Sequence, residues 1–163
     1  MNETQPGFEA LLHEHRFIIF KTVNTYCWRP DDRDDLAQEI AGQLWRAWPR
    51  YDPRRPFATW MYRIALNVAI SYVRREVQHR RVFTAWEEEL HDVSPPLPDD
   101  PDAGLRVQRL RRFIAAEPPL ERALLLLYLE DTPQKEIAEI LGITATNVST
   151  KISRLKQRIR TEI

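Results

Sequence analysis

Cysteine occurs once in the 163 residues, as Cys27. A single thiol excludes an internal disulfide and any cysteine-based zinc site, and it suits a reducing, cytoplasmic setting. Charge of one sign is also missing: 24 Lys and Arg offset 24 Asp and Glu, for a formal net charge of +0. A neutral total argues against a chain that coats nucleic acid by bulk charge. No apolar run approaches the ~20 residues that cross a bilayer; the greasiest, Leu124 to Leu129, is far shorter. MNETQPGFEALLHEH has no basic region followed by an apolar run, so no signal peptide is expected. Internal repeats are absent. So are a serine–histidine–acid set, a glycine-rich phosphate loop and a cluster at metal-ligand spacing. His13 and His15 are too close in sequence to share a helix face. These absences point away from an enzyme and imply no metal and no cofactor.

What is present is helical. Phe8, Leu11, Leu12, His15, Ile18, Ile19, Val23 and Tyr26 recur at helical spacing and predict a first helix from Phe8 to Tyr26, ended by Arg29-Pro30. Asp31 or Asp32 is expected to cap a second helix, Asp34 to Trp48. Its inward face is Leu36, Ile40, Leu44, Ala47 and Trp48. Its outward face is Asp35, Gln38, Glu39, Gly42, Trp45 and Arg46. That face reads either as a solvated surface or, given Trp45 beside Gly42, as a docking surface for protein. The loop RYDPRRPF is stiff and basic, and presents Arg54 and Arg55 to solvent or to phosphates.

The third helix, Phe57 to about Arg75, is apolar nearly all round. Trp60, Met61, Ile64, Ala65, Val68 and Tyr72 form one side, and Tyr62, Leu66 and Val73 another. One polar stripe interrupts it: Arg63, Asn67, Ser71 and Arg74. The pattern fits the centre of a bundle with a wet edge. It fits equally a platform on which unpaired bases stack. Beyond the basic run RREVQHRR, the proline- and acid-rich HDVSPPLPDDPDAG reads as a linker.

A second domain begins near Ala103. One helix ends at Pro118-Pro119 and another runs from about Leu120 to Glu130. Thr132 is expected to cap a third, with Pro133 in its first turn. Ile137, Ala138, Leu141, Gly142, Ile143 and Val148 then fall at helix-turn-helix spacing. Gly142 supplies the left-handed turn and Thr144 caps the last helix. On that helix Val148, Ile152, Leu155 and Ile159 face inward, while Thr146, Thr150, Ser153 and Gln157 face out. Every charged residue from Ala145 to Arg160 is basic. Such a helix suits a major groove. A helical hairpin with a basic surface is the plainer reading.

Two motifs in this order resemble one family. DDRDDLAQEIAGQLWRAWPRYDPRRPFATWMYRIALNVAISYVRR and PLERALLLLYLEDTPQKEIAEILGITATNVSTKISRLKQRIR together resemble the extracytoplasmic-function (ECF) sigma factors of bacterial RNA polymerase. The resemblance covers nearly the whole chain. It implies an all-α protein of two small helical domains, sigma region 2 at residues 1–80 and sigma region 4 at 103–163, joined by a proline-rich acidic linker at 81–102. It implies a promoter-specificity subunit, with core RNA polymerase (clamp and flap) and promoter DNA as partners and an anti-sigma factor as a further candidate. Asp35, Leu36, Gln38, Glu39, Trp45 and Arg46 would bind core polymerase. Arg54, Arg55, Phe57, Trp60, Arg63, Asn67 and Arg74 would melt the promoter and hold single-stranded DNA. Thr144, Thr146, Asn147, Ser149, Thr150, Lys151 and Arg154 would read duplex DNA. Arg33, Ser71, Asn147 and Ser149 depart from residues common in the family, which leaves the promoter sequence open. The chain's second half alone equally fits a stand-alone helix-turn-helix regulator.

Overall fold

Prolines set many of the breaks between helices. The computed structural model describes residues 4–83 and 101–163, with side chains at 7–77 and 104–163. The helices are α1 (Thr4–Glu14), α2 (Arg16–Tyr26), α3 (Pro30–Ala47), α4 (Phe57–Phe83), α5 (Pro101–Ala116), α6 (Pro119–Leu129), α7 (Gln134–Leu141) and α8 (Ala145–Glu162). A single 3-10 turn, Trp48–Arg50, follows α3. The fold is all-α. The chain forms two units, Met1–Tyr72 and Val73–Ile163, with the boundary inside α4. The expected linker, 81–102, falls mostly on residues 84–100, which lie outside the described residues.

In the first unit the predicted single helix is two. The break is at His15, whose backbone leaves helical geometry (φ −105°, ψ 20°), and the His15 ring lies 5.2 Å from that of Phe57. Pro30 starts α3 rather than ending the helix before it. Arg29 is extended (φ −85°, ψ 138°), the geometry a following proline favours, and Pro30 occupies the first turn, where a missing amide hydrogen costs nothing. Asp31 and Asp32 also lie in that first turn and complement the helix dipole, but neither makes a side-chain cap. Arg33 explains its own presence among the acids: its Nε donates to the Cys27 carbonyl at the end of α2, 3.1 Å away. An orphan carbonyl is thereby satisfied. Leu36, Ile40 and Leu44 on α3, and Met61, Ala65, Leu66 and Ala69 on α4, are buried.

In the second unit α6 is the central element, packing against α5, α7 and α8. Ala123 to Leu127 are all buried, as a helix surrounded by others requires. Asp131, just past its end, adopts a left-handed conformation (φ 56°), and the Thr132 amide donates back to the Leu127 carbonyl. This αL cap of α6 was not foreseen from sequence. Pro133, not Thr132, is the N-cap of α7, with no side-chain hydrogen bond. Gly142 takes φ 68° at the end of α7, as the turn demands. The Thr144 side-chain oxygen accepts the Asn147 amide at 3.1 Å and caps α8.

Candidate polymerase and nucleic-acid interfaces

On α3 the 3.6-residue period turns Leu36 wholly inward and Asp35, Gln38, Trp45 and Arg46 outward. Leu36 therefore supports the face without belonging to it, and the expectation that it makes contact is corrected. Glu39 is half-buried. Arg46 Nε donates to Gln43 Oε1 at 2.9 Å. Trp45 is 46% exposed, with its inner edge against the Phe8 ring, 5.3 Å between centroids. The face thus offers a carboxylate, an amide and a partly open indole held in place from below.

The loop after α3 is locked by its own residues. The Arg54 guanidinium grips Asp52 through Nε to Oδ1 at 3.1 Å and Nη2 to Oδ2 at 3.2 Å, and the Arg54 amide donates to Oδ1 at 3.0 Å. These bonds hold the Asp52 carboxyl below its ordinary pKa. Tyr51 Oη donates to the Arg55 carbonyl at 2.9 Å. Below the loop lies an aromatic cluster. Trp48 stacks on Tyr51 at 5.1 Å, and Tyr51 and Phe57 lie 5.0 and 5.3 Å from Trp60. The Phe57 ring is only 6% exposed, so it is packing under Trp60 and offers no open face. Trp60 is half-buried. Arg63, Asn67, Ser71 and Arg74 are all exposed along α4, as the polar stripe predicts.

On α8, Thr146, Asn147, Ser149, Thr150, Ser153 and Arg154 are exposed, while Val148, Ile152 and Leu155 are buried. Thr144 is engaged as the cap. Lys151 is also engaged, its ammonium 3.0 Å from Glu121 Oε1 on α6. Farther along, Arg158 makes two contacts to the buried Glu117 carboxylate, Nη2 to Oε1 at 2.7 Å and Nη1 to Oε2 at 3.0 Å. The Arg158 guanidinium also lies 5.0 Å from the Phe113 ring centroid. These pairs join side chains 30 and 41 residues apart, a separation at which sequence periodicity gives no signal. Among the described residues no group of three or more His, Cys, Asp or Glu could hold a metal ion.

Residues 11–79 match the family model for Sigma-70 region 2, and residues 108–159 match that for Sigma-70 region 4. The ECF RNA polymerase sigma factor SigW of Bacillus subtilis is 28% identical over 98% of this chain and 90% of its own length. The chain belongs to the ECF sigma factors. As one, it directs RNA polymerase to promoters and opens them for initiation. The sigma factor CnrH of Cupriavidus metallidurans is 26% identical over 95% of this chain and 85% of its own length. Two solved structures share the fold. CnrH in complex with the cytosolic domain of CnrY has a TM-score of 0.68 at 21% identity, covering 96% of this sigma factor and 87% of CnrH. RpoE in complex with the anti-sigma factor NepR, from Bartonella quintana, has a TM-score of 0.72 at 14% identity, covering 99% and 96%. The region 2 match leaves the stand-alone helix-turn-helix regulator without a use for half of this sigma factor.

Proposed function

We propose that this sigma factor divides its work between three surfaces. The α3 face of Asp35, Gln38, Glu39, Trp45 and Arg46 docks on the clamp of core polymerase. The observation that carries this assignment is the outward carboxylate and indole on a helix whose opposite side, Leu36, Ile40 and Leu44, is fully buried. A partly open aromatic beside charge is the composition of a docking patch rather than of a solvated helix. Reversing charge at Asp35 together with Glu39 abolishes co-purification with core polymerase while the far-ultraviolet circular dichroism stays unchanged. Retained binding removes the assignment.

The second surface is the Asp52–Arg54 loop with Trp60, Arg63, Asn67 and Arg74 of α4. It holds strands once they part. Unstacking a base costs a few kcal/mol, and stacking on an aromatic returns about 1–3 kcal/mol. The third surface is α8, which reads the upstream element as duplex. Residues 1–80 and 103–163 serve as the two working domains and 81–102 as their tether, with the second domain also meeting the polymerase flap.

The protein acts by binding rather than catalysis and uses no cofactor. It works in the cytoplasm, consistent with the lack, among the described residues, of a helix long and apolar enough to cross a membrane. CnrH and RpoE are each seen bound by a partner, CnrY and the anti-sigma factor NepR. A partner of the anti-sigma kind is proposed here too. Run-off transcription on genomic fragments, with core polymerase alone and with this chain added, tests the whole reading. New start sites that depend on the chain support it; an unchanged transcript pattern rejects it.

A further inference from the structure

Lys151 lies on the recognition helix, is basic, and is the residue there that charge alone would first send to DNA. Its position says otherwise. At roughly 100° per residue, Lys151 stands ~60° around α8 from Val148, a residue with no exposed surface. The centre of the outward face, Thr146, Thr150, Ser153 and Gln157, is on the far side. Its ammonium meets Glu121 Oε1 at 3.0 Å, and both side chains are mostly covered, 28% and 20% exposed. Glu121 sits in the first turn of α6, where the helix dipole favours its carboxylate. The partner is therefore fixed, charged and poorly screened, and a phosphate would have to displace it.

We infer that Glu121 is a positioning residue that withholds Lys151 from DNA and uses it as a strut between α6 and the recognition helix. The second pair, Glu117 with Arg158, repeats the device two turns along α8. Together the pairs clamp one side of the helix to α6 and the segment just before it. What remains for reading is the exposed set Thr146, Asn147, Ser149, Thr150, Ser153 and Arg154. Ser153, which the sequence reading did not assign to DNA, is exposed and joins that set. The reading set is then mostly uncharged hydroxyl and amide groups with one arginine, so discrimination rests on short polar contacts to base edges.

This inference rests on the reading of α8 as the duplex-binding helix. The test keeps the two apart. It uses the full chain bound to core RNA polymerase and the genomic fragments that the wild-type complex retains. Lys151→Met retains the same upstream bases, with an unchanged dependence of affinity on salt. Glu121→Gln frees the ammonium for a phosphate and steepens the slope of log K against log salt by about 0.9. The double variant returns to the wild-type slope. A changed base preference in Lys151→Met, a slope flattened by about 0.9 in the same variant, or an unchanged slope in Glu121→Gln overturns the strut. Thermal melts without DNA complete the test. Losses in melting temperature that are less than additive in the double variant show the pair even if α8 reads no DNA, and additive losses overturn it. Lys151→Gln replaces Lys151→Met if the methionine variant does not fold.

Discussion

At the scale of single residues, backbone geometry and caps make the sharpest predictions. Gly142 has φ 68° and open space where a Cβ would go. Gly142→Ala therefore clashes with nothing, and its cost is conformational, about 1–2 kcal/mol. Gly142→Asn costs less, because asparagine tolerates the left-handed region. Urea titration of the two variants separates strain from packing. Thr144→Ala removes the cap on the Asn147 amide and costs about 1 kcal/mol by the same measurement. Asp52 gives a pH prediction. Its pKa is lowered by the hydrogen bonds from Arg54. A lowered carboxyl contributes above its unfolded value and is lost only as pH falls through the folded one. The loop clasp thus persists across the neutral range and opens only below about pH 4. The Arg54 amide resonance, followed by NMR during acid titration, reports the opening. A shift near neutrality contradicts it.

At the scale of elements, α3 buries one row of side chains and exposes another, the row proposed for docking. Leu36→Ala empties a site with no exposed surface and costs about 2–5 kcal/mol in denaturant unfolding. Changes at Asp35 or Gln38, both exposed, leave stability nearly untouched and act on polymerase binding. The same period of 3.6 residues made this legible in advance: the inward and outward rows of α3, the polar stripe of α4 and the face of α8 all follow from spacing. Two kinds of feature did not. One is local chemistry that competes with periodicity: the break at His15, the role of Pro30 as a start, and the αL cap at Asp131. The other is pairing across the fold, as in Lys151 with Glu121. A side chain's type and spacing reveal its face, but not whether a distant carboxylate already holds it. Phe57 teaches the same lesson for aromatics, since its ring reads as a stacking surface until its burial beneath Trp60 is seen.

At the scale of the whole chain, zero net charge conceals segregation: acids at the start of α3, bases along α8. Little bulk attraction to DNA is then available, and affinity must come jointly from polymerase and promoter. The chain alone should retain promoter duplex weakly at physiological salt, and core polymerase should raise retention by at least tenfold. Equal retention with and without polymerase in a filter-binding assay contradicts this. The aromatic cluster under the loop has a practical consequence. Four of the five tryptophans, Trp28, Trp45, Trp48 and Trp60, belong to the first unit; the fifth is Trp86, and residues 101–163 contain none. Replacing Trp86 with phenylalanine leaves indole emission as a label-free reporter whose fluorophores all lie in the first unit. In that variant a spectral change on adding polymerase or melted DNA reports on the first unit.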